Sequence, residues 1–196
     1  MIRYATISLI SILFSLYIFE GYIIFKDHFS IAQKKNQALK EKIYKENTGK
    51  NWDNRTRFQI YENKKKINND IAIRFQPSYF LNKQNLSIFP LSGISNSETI
   101  HCNENGYFSI YQSDRFGFNN PDKEWDNEEV ELVIVGDSYT QGSCVNYPND
   151  LASQFREITS SNVINLGYGG NGPLIEYMSL KEYTKNLQIK NIVWIF

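Results

Sequence analysis

The fold is decided by the stretch VELVIVGDSYTQG, which occupies residues 130–142. Its first six residues are apolar except for Glu131, and such a short run is typical of a strand that is buried on both faces of a parallel sheet. Gly136 then permits a tight turn. We therefore expect Ser138 to lie beyond the carboxyl end of this strand, where open α/β sheets bind their ligands.

The chain after this stretch alternates between helical and strand patterns. Apolar residues recur at helical spacing over residues 151–158, and Pro173 fits the first turn of a second helix. Short apolar runs at residues 163–166 and 191–196 predict a second and a third buried strand. This alternation predicts a doubly wound α/β layout with a parallel sheet. The apolar face of the second helix is expected to comprise Leu174, Tyr177 and Met178.

Ser138 has the two groups that acyl-transfer chemistry needs at such a position. Its hydroxyl can attack a carbonyl, and its backbone N–H can stabilise the oxyanion that develops. Gly136 and Asp137 are expected to shape the loop, with Asp137 holding it by hydrogen bonds rather than acting as the acid of a triad. A turn or helix-cap serine without chemistry is the alternative interpretation of Ser138.

Two segments together resemble the SGNH (GDSL) hydrolase superfamily, which comprises esterases and acyl-group hydrolases. Residues 135–142 are similar to its first block, with Ser138 in the nucleophile position, and residues 165–173 (NLGYGGNGP) are similar to its second block. The resemblance implies that the N–H of Gly170 joins that of Ser138 in an oxyanion hole. A glycine required only for a turn of positive φ is the alternative for Gly170. Residues 114–121 (DRFGFNNP) resemble a segment of membrane-anchored bacterial members.

The resemblance also implies a flavodoxin-like three-layer sandwich with strand order 2-1-3-4-5, of which this chain holds the first three strands. It implies no metal and no organic cofactor. The third and fifth blocks of the family, Gly-x-Asn-Asp and Asp-x-x-His, are absent from the sequence, which ends at Phe196 within the third strand. We therefore expect a fragment of a longer hydrolase that is inactive alone. A short natural protein whose third strand pairs with a partner is the alternative.

The two histidines are poor candidates for the missing base. A general base must reach the serine hydroxyl, and His28 follows a long apolar segment far from Ser138 in sequence. His101 is expected to be structural. Cys102 and Cys144 are predicted to form a disulfide, with two buried free thiols as the alternative and Cys144 disfavoured as a rival nucleophile.

The N-terminal segment is apolar enough to cross a membrane. Residues 4–25 would form a helix about 33 Å long, against a hydrocarbon core of about 30 Å, so we expect residues 1–25 to be a retained signal-anchor rather than a cleaved signal peptide. Glu20 is expected to reach the membrane interface. The flanking charges do not settle the orientation.

Three further divisions are expected along the chain. Residues 26–70 are predicted to be a polar stalk, residues 71–128 an irregular aromatic-rich segment that packs on the core, and residues 129–196 the N-terminal part of the hydrolase domain. A length of 196 residues is consistent with one domain and an appendage, because a domain typically has about 150 residues.

Composition narrows the function. The 21 Lys and Arg residues balance the 21 Asp and Glu residues, which argues against a nucleic-acid partner, and two cysteines exclude a multi-cysteine metal framework. With the anchor and the resemblance, we expect a membrane-anchored, extracytoplasmic serine esterase that removes acyl groups from an ester-bearing substrate, such as an acylated glycan of the bacterial envelope. A catalytically inactive scaffold or glycan-binding module and an O-acyltransferase are the alternatives.

Overall fold

The computed structural model describes residues 2–83 and 85–195, and the chain divides into two compact units between Trp52 and Asp53. The first unit is one helix, α1 (Ile2–Thr48), whose apolar portion is long enough to cross a membrane, as a membrane anchor or a signal sequence would. The helix ends where Gly49 adopts a φ of 69° and its N–H bonds to the Lys45 carbonyl at 2.9 Å.

Helix α2 (Arg57–Lys65) opens the second unit. A capping box fixes its start, because the Thr56 hydroxyl accepts from the Gln59 N–H and the Gln59 side chain accepts from the Thr56 N–H. Ile60 packs against buried residues of the neighbouring sheet. Residues 53–70 therefore belong to the folded unit rather than to the polar stalk expected over 26–70. Ile60 is the one residue of α2 that is buried, and a single apolar position is too weak a sequence pattern to predict that the helix packs on the sheet.

A small sheet follows in the segment that was predicted to be irregular. It consists of β1 (Ile71–Ile73), β2 (Glu98–Ile100) and β3 (Ile110–Gln112), with β1 parallel and β3 antiparallel to β2. Two short 3₁₀ helices, Pro77–Phe80 and Asp122–Asp126, lie in the same part of the chain.

The second sheet contains β4 (Glu129–Gly136), β5 (Val163–Asn165) and β6 (Gln188–Ile195), all parallel, in the order β5-β4-β6. Strand β4, the first of this sheet in sequence, thus lies between β5 and β6. This arrangement has the order 2-1-3, as in the first three positions of 2-1-3-4-5. Helices α3 (Ser138–Gln141), α4 (Leu151–Thr159) and α5 (Pro173–Tyr183) connect the strands. The unit is a mixed α/β structure with small sheets.

Strand β4 is buried on both faces, which confirms the prediction from its apolar run. Val133 and Val135 pack in one cluster and Ile134 in another, all without exposed surface. The first cluster also contains Phe118, Trp125, Val130, Ile164, Leu166 and Tyr168.

The strand predicted at residues 191–196 is confirmed for residues 191–195, which lie in β6, but its burial is not, and Phe196 lies outside the described residues. Ile192 is 51% exposed and Val193 41% exposed. Among the described residues only β4 pairs with β6, so β6 is an edge strand.

The predicted apolar face of α5 is also wrong. Leu174, Tyr177 and Met178 are exposed, whereas Ile175 and two polar residues, Glu176 and Ser179, are buried. The inward face is set by polar contacts that sequence periodicity does not reveal. The Glu176 carboxylate accepts from the Trp194 indole N–H at 2.6 Å, and the Ser179 hydroxyl lies 3.4 Å from the Leu91 carbonyl oxygen.

Candidate active site

Ser138 lies directly beyond the carboxyl end of the central strand β4, at the start of α3. Gly136 is required there, because a Cβ would overlap the Thr140 hydroxyl and lie 2.6 Å from the Ile195 carbonyl oxygen. Asp137 caps α3 by accepting from the Tyr139 N–H at 3.1 Å. The Ser138 carbonyl accepts from the Ser143 N–H at 3.0 Å, so the loop is held at both ends while the Ser138 side chain stays half-buried.

The loop after β5 packs against Ser138. The Gln141 side chain accepts from the Gly169 N–H at 2.8 Å, and the Asn165 amide donates to the Thr140 carbonyl at 2.7 Å. A Cβ at Gly169 would lie 3.1 Å from the Ser138 Cβ. Gly170, the next residue, has a φ of 84°. The two segments that carry the family resemblance are therefore in contact.

Two backbone N–H groups in these loops are available to a ligand. Within the described residues, no acceptor bonds to the N–H of Ser138 or of Gly170. The N–H groups of their neighbours Tyr139, Gly169 and Asn171 all have acceptors. This is the pattern that an oxyanion hole requires.

Ser138, Gly169 and Gly170 line a cavity of about 700 Å³. That volume lies within the range of known ligand sites, about 300–1,000 Å³. His101 and Ser143 also line the cavity, so the serine predicted as nucleophile shares it with the one histidine of the second unit.

His101 is paired with Ser143 rather than with Ser138. Its side chain is buried, its Nε2 lies 3.3 Å from the Ser143 hydroxyl oxygen, and its ring packs edge-on against Tyr111. Burial, together with the charges of Arg74 and Arg57, lowers the pKa of His101 to about 3. The imidazole is therefore neutral at pH 7. No carboxylate forms an ion pair with it in the part of the chain that the structure describes.

Cys102 and Cys144 form a disulfide, with their Cα atoms 5.1 Å apart and a sequence separation of 42. The bond connects the segment after β2 to the loop after α3, and both cysteines line the cavity. In the chain-entropy model a loop of this size stabilises the fold by about 4 kcal/mol. Because its sulfur is bonded, Cys144 is not a thiol nucleophile in this structure.

Arg74 and Gln76 are cavity residues that the sequence pattern did not indicate. Arg74 donates from Nη2 to the Gly169 carbonyl, and its guanidinium lies 5.0 Å from the ring centroid of Tyr168. A Cβ at Gly170 would lie 2.8 Å from the Gln76 side chain. These contacts join positions about 95 residues apart, which no local motif encodes.

Within residues 2–83 and 85–195, no group of three or more His, Cys, Asp or Glu side chains is arranged to hold a metal ion. Comparisons with protein-family models, curated proteins and solved structures gave no match for this chain. The two motifs and the geometry of the cavity are therefore the features that bear on function.

Proposed function

We propose that this chain forms part of a membrane-anchored serine esterase of the SGNH type, with Ser138 as its nucleophile. The observation that carries the proposal is the contact between the Ser138 loop and the Gly169–Gly170 loop at the end of a central parallel strand. Both loops line one cavity, and each offers an N–H without an acceptor among the described residues. The strand order β5-β4-β6 supports the finer proposal of a flavodoxin-like sandwich.

The proposed reaction begins with attack of the Ser138 hydroxyl oxygen on the acyl carbonyl. The C–O bond to the serine forms while the hydroxyl proton passes to a base, and the N–H groups of Ser138 and Gly170 stabilise the tetrahedral oxyanion. The alcohol then leaves, and water hydrolyses the acyl-enzyme in a second attack. The resemblance assigns the base to an Asp-x-x-His block, which the sequence lacks. We therefore expect the 196-residue chain to be inactive alone when no external base is added.

The substrate class that we propose is an acylated glycan of the bacterial envelope. The apolar helix α1 supports attachment to a membrane, and the disulfide supports an oxidising, extracytoplasmic compartment for the second unit. An O-acyltransferase would use the same acyl-enzyme but replace water with a sugar hydroxyl.

One observation favours a second function, binding of glycan without catalysis. Among the described residues, the imidazole of the cavity bonds to Ser143 and not to Ser138. A serine without a base is a weak nucleophile. The same cavity would then recognise a ligand without cleaving it.

Labelling with a fluorophosphonate, in the presence of added imidazole as an external base, tests the esterase proposal. Phosphonylation forms the Ser138 O–P bond, breaks the P–F bond and transfers the proton to imidazole. We expect one adduct per chain, mapped to Ser138 by mass spectrometry of peptides. Ser138→Ala should abolish the adduct, whereas Ser143→Ala, a matched serine of the same cavity, should retain it.

A folded chain that acquires no adduct, or that is labelled at Ser143, would contradict the esterase proposal. In that case, binding of an acetylated oligosaccharide by the same unlabelled chain would support the non-catalytic function.

A further inference from the structure

Two arginines line the Ser138 cavity without an acidic partner. Arg74 follows β1, and Arg57 is the first residue of α2. Across the residues that the structure describes, no carboxylate oxygen lies within the 4.0 Å of an ion pair to either guanidinium. Two unneutralised cations in one cavity favour an anionic ligand.

Arg74 is fixed next to the reacting serine. Its Nη2 donates to the carbonyl of Gly169, and its guanidinium lies over the Tyr168 ring. A Cβ added at Gly169 would lie 3.1 Å from the Ser138 Cβ. The Nε of Arg74 is buried and has no hydrogen-bond partner among the described residues. Burial of this guanidinium without a neutralising carboxylate among the described residues costs free energy, and an oxyanion in the cavity would lower that cost.

The acidic residues of the cavity do not meet this demand. Asp150 is 3% exposed, and its carboxylate accepts from the Ser153 N–H at 3.0 Å and from the Ser153 hydroxyl at 2.5 Å as the cap of α4. Glu104 is exposed and forms no ion pair within the described part of the chain. The positive charge next to Ser138 is thus left for a ligand.

We propose that the substrate carries an oxyanion, a carboxylate or a phosphate, next to the ester, and that Arg74 binds it with assistance from Arg57. The guanidinium of arginine presents paired N–H groups that fit the oxygens of either anion. This substrate class rests on the proposed esterase function for the position of the ester, whereas recognition of the anion does not require Ser138 to react.

Ligand titrations monitored by NMR test the proposal on the 196-residue chain in detergent solution. The probes are glucuronate, its neutral methyl ester and glycerol phosphate. We expect both anions to bind and the methyl ester to bind at least about tenfold more weakly, since a charge-assisted hydrogen bond is lost. Tighter binding of glucuronate assigns the anion to a uronate of a glycan, and tighter binding of glycerol phosphate assigns it to a phosphate-bearing polymer.

Matched arginine variants locate the site. Arg74→Gln should weaken binding of the preferred anion about tenfold and Arg57→Gln about threefold. Arg55→Gln removes the same charge from an exposed pair with Asp53 outside the cavity and should leave binding unchanged. Because Arg57 is exposed, its variant is expected to fold even if loss of the Arg74–Gly169 contact disturbs the loop.

Binding of neither anion more tightly than the methyl ester, or anion binding that neither Arg57→Gln nor Arg74→Gln weakens, would overturn the inference. Ser138→Ala should bind the anions as the unaltered chain does. Failure of fluorophosphonate labelling with intact arginine-dependent binding would therefore reject the esterase alone, and labelling without anion binding would reject the anionic substrate alone.

Discussion

At the scale of single residues, Asp114 fixes the conformation of the segment DRFGFNNP (residues 114–121), which precedes the second sheet. Its buried carboxylate accepts from the backbone N–H groups of Phe116 and Phe118, at 2.8 and 2.9 Å, and from the Trp125 indole at 2.8 Å. Burial raises the pKa of Asp114, and these donors oppose the rise because they favour the charged form. One side chain thereby holds the whole turn in place.

Asn120 extends this network to the candidate site. Its Nδ2 donates to the Asp114 carboxylate at 2.8 Å and to the Asn165 carbonyl at 2.9 Å, and its Oδ1 accepts from the Asn165 N–H at 2.8 Å. Asn165 is the last residue of β5 and the first of the loop that reaches Ser138. Residues 114–121, which carry the looser part of the family resemblance, thus hold the start of the Gly169–Gly170 loop in place.

His101 gives a prediction for pH dependence. Its pKa is about 3 in the folded chain against 6.5 for a free side chain, so the folded state binds fewer protons between these values. Stability is therefore unaffected by His101 above pH 6.5 and is lost as the pH falls toward 3, by up to about 5 kcal/mol in total. Between pH 7.5 and pH 5 the loss should be about 2 kcal/mol in denaturant unfolding followed by tryptophan fluorescence.

His101→Gln should remove this component, so the pH dependence of its unfolding free energy should be flatter than that of the unaltered chain. His28→Gln, the same change in the first unit, should leave the pH dependence as it is. Identical pH profiles for His101→Gln and the unaltered chain would contradict the assignment.

At the scale of elements, sequence patterns predicted those parts of the fold that depend on burial along one segment. The apolar run of β4 indicated a strand buried on both faces, and the order of helices and strands indicated a parallel sheet. The orientation of α5 was missed, because it depends on the buried Glu176–Trp194 hydrogen bond. The apolar run of β6 indicated a strand, whereas the burial of that strand depends on which strands pair with it.

The same distinction applies to the candidate site. Ser138 and Gly170 were indicated because each lies in a local motif next to a strand. Arg74 and Ser143 were not, because Arg74 contacts a loop 95 residues away and Ser143 becomes notable only through His101, 42 residues earlier. Contacts between distant segments have no local sequence signature.

The loop between β5 and α5 provides a second prediction. Gly169→Ala would place a Cβ 2.6 Å from the Arg74 Nη2 and 3.1 Å from the Ser138 Cβ. We expect it to lower the free energy of unfolding by about 1–3 kcal/mol, as overpacking does, and to slow labelling of Ser138. Gly172→Ala is the matched control, because a Cβ there has no neighbour within 4 Å. Equal stabilities of the two variants would show that the loops do not pack as described.

At the scale of the whole molecule, the surface of α1 is suited to a lipid bilayer and that of the second unit to water. The large apolar side chains of α1 between residues 4 and 25 are exposed, which is unfavourable in water and favourable in a bilayer. The second unit buries its apolar side chains around β4 and is cross-linked by a disulfide, which persists in an oxidising compartment. Both features support the proposal that the second unit is held on the outer side of a membrane.

Membrane attachment through α1 is the third prediction. The chain should remain in the membrane pellet after alkaline carbonate extraction. If α1 is an anchor rather than a cleaved signal sequence, the intact mass should equal that of the chain beginning at Met1. Replacing Leu13 and Leu16 together by lysine places two charges near the centre of the span, each costing about 3 kcal/mol, so this variant should move to the soluble fraction. Leu39→Lys introduces a charge in the polar part of the same helix and should stay in the pellet. Loss of residues 1–25 from the mature chain would establish a signal sequence instead, because an anchor must be retained to hold the second unit at the membrane.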